Sequence, residues 1–232
     1  MSDQPSYVIG VDLGQISDRT AIVIAELVRK EQHGRDYLEV QVVHAERLRK
    51  GVAYPDQVDR LADIRYGSVA GLERAPLIID ATGVGRPVLD LCRERRLSPI
   101  GVTFTAGEKA SFDQDEKMWR VPKKVLVASV QVLLQRGRLR FAAGLPDLDA
   151  LLSELGNFEV KVTASANVRY EAGRGHDDLV AALSLVCWHA LRAGSGEYGP
   201  VQHCKRRNGF QRPKNLRSIW REKKSTPRRN WR

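Results

Sequence analysis

Tyr7-Val-Ile-Gly-Val-Asp12 decides how the rest of this chain is read. Five residues, four of them apolar and mostly β-branched or aromatic, make a strand buried on both faces, and the run stops on an acid. The same grammar returns at Ala75-Pro-Leu-Ile-Ile-Asp80, where a short apolar strand again ends on an aspartate. A third acidic position, Asp177 with Asp178, opens the helical run Gly175-His-Asp-Asp-Leu-Val-Ala-Ala-Leu-Ser-Leu-Val186. An acid at a strand end is held by rigid backbone while facing solvent, and an acid at a helix start can be aimed back at that edge. Carboxylates gathered there repel one another unless divalent cations lie between them, and oxygen-only ligands suit magnesium or manganese. Taken singly, each acid reads equally well as a solvated end-cap. Taken together in this order, they point to two-metal hydrolysis of a phosphodiester.

Working outward, Thr20–Leu27 and Leu38–Leu48 continue the strand pattern through short turns, so the N-terminus reads as a three-strand antiparallel meander. Tyr54–Ile64 reads as a short helix. Leu77–Asp80, the Gly83/Gly85 turn, the amphipathic stretch Val84–Arg96 and the strand Pro99–Thr105 form a strand–helix–strand unit, which requires parallel pairing around Asp80. Pro122 suits the first turn of an apolar helix over Lys123–Arg136. Leu148, Leu151, Leu152 and Leu155 carry helical spacing behind Asp147 as a cap. Phe158–Val162 and Val168–Tyr170 alternate as a hairpin would, and a last helix runs from near His176 to about Arg192. The fold class is α/β: a mixed sheet with a three-strand antiparallel meander plus parallel strands, flanked by helices.

Composition sets the outer limits. Of 232 residues, 42% are hydrophobic and 28% charged, enough for a core in one large domain. The net charge of +10 is lodged at one end. Residues 196–232 hold 12 Lys/Arg against 2 Asp/Glu, which leaves 26 of each sign in residues 1–195. The expected organisation is therefore a domain over 1–195 and a basic, disordered tail over 196–232. Such a tail attracts a polyanion, and Trp220 and Trp231 offer faces for base stacking; the plainer reading is a solubilising linker. Cys92, Cys187 and Cys204 are odd in number and widely spaced, which reads as reduced, cytoplasmic thiols rather than a disulfide or zinc framework. The first residues lack the pattern of a signal peptide, and Leu179–Leu191 is too short to span a bilayer.

Four segments in order give this pattern a family likeness: Gly10-Val-Asp12-Leu-Gly14, Asp18-Arg-Thr-Ala21, Ile79-Asp80-Ala-Thr-Gly-Val-Gly85 and Gly175-His-Asp-Asp-Leu-Val-Ala-Ala182. Over roughly residues 6–192 the chain resembles the nuclease domain of the large terminase subunit of tailed bacteriophages, which has a ribonuclease-H-like fold related to that of Holliday-junction resolvases. The resemblance implies an Mg²⁺- or Mn²⁺-dependent endonuclease that uses two ions to cut double-stranded concatemeric DNA during packaging. It implies Asp12 as the central acid bridging both ions, Asp80 as a second ligand, and Asp178 or Asp177 as a third. Asp178 is favoured because it shares a helix face with Ala182 and Leu185. Asp18 is implied as a further acid near the metals, although a Ser-Asp turn former is an equal reading. Ala181 departs from the pattern, since relatives often carry another acid there. His176 is placed to touch the phosphate, or simply to cap the helix. Lys109, Arg120, Lys123 and Lys124 are the candidates for gripping the DNA backbone, against the simpler reading of a solvated basic face.

The implied partners are DNA, a packaging ATPase, a small terminase subunit and a portal, with no membrane, in the cytoplasm of a bacterial host. No GxxxxGK[ST] occurs in the chain, so the ATPase motor of full-length large terminases is not encoded in these residues; an isolated domain, a split gene product and a free-standing nuclease all meet that condition. Gly83-Val-Gly85-Arg-Pro-Val88 lacks the third glycine of a dinucleotide fingerprint and makes a tight turn more simply. Ile9–Gly14 also resembles the first phosphate loop of sugar kinases and actin-like ATPases, but the chain has no room for their second lobe. A resolvase-like nuclease on branched DNA shares the same acids. A non-catalytic DNA-binding packaging module is the alternative outside enzymes, and it would depend on the tail rather than on Asp12 and Asp80.

Overall fold

The computed structural model describes residues 6–15, 18–32, 34–83, 85–164 and 177–194. Eight strands make one sheet: β1 (Ser6–Asp12), β2 (Ala21–Gln32), β3 (Arg35–Arg47), β4 (Leu77–Asp80), β5 (Ile100–Thr105), β6 (Ser111–Asp113), β7 (Met118–Pro122) and β8 (Leu139–Phe141). Five helices flank it: α1 (Tyr54–Tyr66), α2 (Gly85–Glu94), α3 (Lys123–Gln135), α4 (Leu148–Ala164) and α5 (Asp178–Gly194). The spatial order is β6-β7-β5-β4-β1-β2-β3-β8. β1, β2 and β3 form the expected antiparallel meander, and β1–β4, β4–β5 and β5–β7 are parallel.

The central position of β1 follows from its composition. Tyr7 to Val11 are all buried, as a strand covered on both faces must be. Tyr7, Ile9 and Val11 join Leu77 and Ile79 of β4 beneath α1 and α2. Val8 and Ile78 face the other way, into a core built with α3, α4 and α5. Side chains alternate along a strand, so Gly10 and Asp12 share the face of Val8, and Asp80 shares the face of Ile78. Both acids are thus delivered to the α5 side.

Helix α5 is apolar nearly all round, with Leu179, Val180, Leu183, Leu185, Val186, Cys187 and Trp188 buried, as expected for a helix wedged between sheet and neighbouring helices. It packs on β1, β2 and β3 and against α3 and α4. Gly10 is what lets it come so near. A Cβ at Gly10 would stand 2.3 Å from the carbonyl oxygen of Ala182 and 2.8 Å from Val186 Cγ2, so only hydrogen fits there.

One expectation is corrected, and three strands are added to the reading. Phe158–Val162 is helical, part of α4, rather than a strand. The sequence spacing Leu151, Leu155, Phe158, Val162 continues the helical period, and it prevails over the short two-residue alternation. The proposed partner strand Val168–Tyr170 lies outside the described residues. Between β5 and α3 the chain forms two unanticipated strands, β6 and β7, which pair antiparallel about the positive-φ residue Lys117. A third, β8, pairs parallel with β3. All are short, and β7 is broken by Arg120 and closed by Pro122, which hides its pattern. The tail proposed over 196–232 lies outside the described residues.

Candidate metal centre

Asp12 and Asp80 end adjacent parallel strands and are register partners across them. Two carboxylates side by side on one sheet edge repel, and their burial deepens the cost of charging them. Asp12 is pushed well above the usual carboxylate range, by burial first and then by Asp80, Asp178, Asp177 and Asp18 in that order. Asp80 is raised to about 6, again mainly by burial, with bonds from Thr82 and the charge of Lys123 pulling the other way.

Each acid is held by its own support. The Thr82 amide donates to Asp80 Oδ1 at 2.8 Å, while the Phe104 amide donates to Thr82 Oγ1 at 2.8 Å, which pins the turn after β4 to β5. Behind Asp12 the loop is closed by a buried polar staple from α1. The Gly14 amide donates to Thr20 Oγ1 at 3.0 Å, and Thr20 Oγ1 donates to Gln57 Oε1 at 2.7 Å. Gln57 Nε2 in turn donates to the carbonyls of Gly14 at 3.1 Å and Val52 at 2.7 Å. These bonds bring the two ends of the Leu13–Arg19 loop together. Asp18, exposed on that loop, stays near enough for its charge to be felt at Asp12.

Opposite the strand ends, a cleft of about 140 Å³ is lined by Asp12, Asp80, Phe104, Lys123, Leu126, Val127, Asp177, Ala181 and Ser184. Lys123 Nζ stands 3.4 Å from Asp177 Oδ2 at the cleft wall. Asp178 is buried, and its charge weighs more on Asp12 than that of Asp177 does. Ala181, the position without an acid, faces the cleft directly. The α5 terminus carrying both aspartates is braced from α4: Leu179 and Val180 amides donate to Glu154 Oε2 at 3.0 and 3.2 Å. Burial raises the Glu154 carboxyl to about 7, with Asp178 adding to the rise and the Val180 amide and Arg47 opposing it.

The structure thus brings Asp12, Asp80 and Asp177 to the cleft, with Asp178 buried and near enough for its charge to act on Asp12, and Asp18 at the margin. Of the basic candidates, Lys123 is in the cleft, Lys124 pairs with Glu108, Arg120 stands 3.5 Å from Asp113, and Lys109 is exposed. His176 lies outside the described residues. Sequence reasoning passed over Thr82, Ser184, Gln57, Thr20 as a bond partner, and Glu154. Thr20, Thr82 and Ser184 lie inside the quoted stretches, whereas Gln57 and Glu154 carried no local signal.

The donor set fits hard divalent cations. It is all oxygen and clustered at one edge of the sheet, with Lys123 beside Asp177 at the cleft wall. Among the described residues no three His, Cys, Asp or Glu side chains already stand in a closed ligating arrangement. Asp80 accepts from the Thr82 amide, and Asp177 accepts from Lys123.

The sheet order, the meander and helix α5 laid across β1, β2 and β3 define a ribonuclease-H-like domain. The profile of the family described as "Terminase RNaseH-like domain" matches residues 9–189, and the chain belongs to that family. It is 28% identical over 182 residues to the large terminase subunit of Thermus virus P23-45 and 26% identical over 182 residues to that of Thermus phage G20c. Each match takes in 77% of this chain and 30% of the relative, so the chain spans about a third of the curated proteins it matches. Among solved structures it is similar to the large terminase nuclease of the thermophilic phage G20c with bound magnesium, at a TM-score of 0.54 and 21% identity, covering 80% of this chain and 82% of that one. The human cytomegalovirus terminase nuclease domain shares the fold at a TM-score of 0.51 and 10% identity, with 83% and 87% covered. Among the described residues no helix is long and apolar enough to cross a membrane.

Proposed function

We propose that this chain is a metal-dependent endodeoxyribonuclease that cuts double-stranded, concatemeric DNA as the nuclease part of a phage packaging terminase. The observation that carries the reading is the in-register pair Asp12 and Asp80 facing the Asp177–Asp178 start of α5. Asp12 feels the charge of all four other acids and is assigned the bridging role. Asp80 is assigned as the second ligand, and the α5 aspartates close the set, with Asp178 favoured and Asp177 in support. Asp18 is assigned to the margin. The chemistry that two Mg²⁺ or Mn²⁺ ions supply when bound is acidification of water and neutralisation of charge on the phosphate and the leaving 3′ oxygen.

The chain's own residues hold and orient. The Thr82 bond and the Thr20–Gln57 staple fix the two strand-end acids before substrate arrives, which is the preorganisation hydrolysis requires. Lys123 balances the carboxylates and stands where a backbone phosphate would enter, with Lys109, Arg120 and Lys124 extending a basic margin. No thiol competes as a nucleophile among the described residues: burial pushes Cys92 up to about 11 and raises Cys187 as well, so neither is a thiolate near neutral pH. The partners that fit are a packaging ATPase, a small terminase subunit and a portal in the cytoplasm of a bacterial host.

The test is cleavage of supercoiled plasmid with Mg²⁺, Mn²⁺ or EDTA, comparing wild type with Asp80→Asn. Nicking and linearisation that require metal and vanish in the variant support the reading. Cleavage that persists in Asp80→Asn overturns the site, and folded protein that binds DNA without cutting it favours a non-catalytic packaging module.

A further inference from the structure

Helix α5 begins with an unusual division of labour. An aspartate at a helix N-cap ordinarily turns its carboxylate onto the second or third amide of its own helix. Asp177 occupies that position, since its carbonyl accepts the first helical bond, from the Ala181 amide at 2.8 Å. The second and third amides, Leu179 and Val180, nevertheless donate to Glu154 Oε2, a side chain from α4, at 3.0 and 3.2 Å. The Asp177 carboxylate points instead to Lys123 at the cleft wall, 3.4 Å away.

Glu154 is well placed to hold this duty. It is only 9% exposed, and its other oxygen lies 3.5 Å from Arg47 Nη1. Arg47 is fixed in turn by its own amide, which donates to Asp147 Oδ2 at 2.9 Å. The end of β3 and the start of α5 are thereby joined to α4 through Glu154, with Asp147 holding Arg47 in place. Charged or protonated, that carboxylate accepts from both amides, so the brace does not depend on its ionisation.

We propose that Glu154 is a positioning residue that caps α5 in place of Asp177, so that the Asp177 carboxylate faces the cleft beside Lys123, where it can serve a divalent ion. The second half of this inference rests on the metal-nuclease reading; the cap itself does not. Without Glu154, Asp177 becomes the nearest acceptor for the orphaned amides and turns away from the cleft.

The experiment compares Glu154→Ala and Glu154→Gln with wild type, each with and without Asp177→Ala. Mn²⁺ binding is followed by the loss of the free-ion electron paramagnetic resonance signal, and thermal unfolding is followed in EDTA. Outer partners of metal ligands typically govern affinity by 10- to 100-fold, so Glu154→Ala is expected to weaken Mn²⁺ binding about 10-fold. Glu154→Gln keeps an acceptor for both amides and should stay within about threefold of wild type. In EDTA, Asp177→Ala should move the Tm of wild type by less than about 1 °C but lower that of Glu154→Ala by a further 2–4 °C or so, because only there has Asp177 become the cap.

Equal Mn²⁺ affinity in Glu154→Ala and wild type overturns the proposal, as does a loss in Glu154→Gln as large as in Glu154→Ala. If Glu154→Ala fails to fold, Asp177→Ala in the wild-type background still decides: a clear loss of Tm there would mean that Asp177 caps its own helix. If wild type binds no Mn²⁺ at all, the functional reading falls, and the thermal cycle alone judges the cap.

Discussion

Asp12 and Asp80 stand opposite each other in register across the parallel β1–β4 pair, each the last residue of its strand. Nothing in the folding of a sheet asks for that pairing. Like charges on adjacent strands destabilise the native state, and the fold keeps the arrangement at the one edge where α5 brings two more acids. A site that opposes its own stability in the absence of ligand is poised to gain from cation binding.

The cost should be visible in metal-free protein. The Asp80 carboxyl lies at about 6 in the folded chain against 3.8 for an ordinary aspartate. A raised folded-state value means that its contribution favours folding fully below pH 3.8 and is lost as pH rises through about 6. In EDTA at pH 7.5, Asp80→Asn should therefore be more stable than wild type, by on the order of 1–3 kcal/mol. That advantage should shrink steadily as pH falls toward 4. Added Mg²⁺ should raise the Tm of wild type and leave Asp80→Asn nearly unmoved. Thermal unfolding across pH, with and without Mg²⁺, measures both. A variant less stable than wild type at pH 7.5 would contradict the charge-cluster account.

Gly10→Ala tests how closely α5 must approach. The added methyl would meet the Ala182 carbonyl oxygen at 2.3 Å, and backbone on both sides cannot yield by a side-chain rotation. Either the helix or the strand must shift, at about 1–3 kcal/mol. Because Gly10 lies two residues before Asp12 and Ala182 four after Asp178, that shift separates the acids. Cleavage should fall by more than the stability loss explains. Trimming Val186 to alanine removes only the second contact, at 2.8 Å, and should not rescue it.

Much of this arrangement is legible in sequence because its signals are local. Val8, Ile9 and Val11 before Asp12, and Leu77–Ile79 before Asp80, announce buried strands that end in acids, and strand–helix–strand alternation fixes parallel pairing at Asp80. What is not legible acts through space. Glu154 reaches Leu179 across 25 residues and Thr20 reaches Gln57 across 37, and neither has a neighbour that marks it. Gly10 sits inside a motif, but only the packing of Ala182 shows why its missing side chain matters. Strands of three residues, such as β6 and β8, borrow their conformation from their partners and carry too little pattern of their own.

The staple behind Asp12 should behave as one unit. Thr20→Val leaves the Gly14 amide and Gln57 without their shared partner, and Gln57→Leu leaves Thr20 and two carbonyls in the same state. Orphaning buried polar groups costs about 1–3 kcal/mol for each single variant. The double variant should cost clearly less than the sum, with a coupling on the order of 1 kcal/mol in denaturant unfolding. Mg²⁺-induced stabilisation should weaken in all three, because the loop that carries Asp18 and anchors Asp12 is loosened. Strict additivity would mean that the three groups do not cooperate.

Charge distribution makes the last prediction. Residues 196–232 carry 12 Lys/Arg against 2 Asp/Glu, while residues 1–195 are balanced at 26 of each. If the tail supplies the attraction for duplex DNA, a chain ending at residue 195 should bind it far more weakly near 50 mM salt. Its plot of log affinity against log salt should also be shallower, by about 0.9 for every phosphate the tail neutralises. Cleavage at saturating DNA and low salt should survive the truncation, because the acids all lie in the body. Asp80→Asn should show the reverse, with the salt slope kept and cleavage lost. Measuring both slopes by fluorescence anisotropy separates a tail that recruits DNA from a body that cuts it. Equal slopes for the full and shortened chains would assign the DNA grip to the cleft margin around Lys109, Arg120, Lys123 and Lys124 instead.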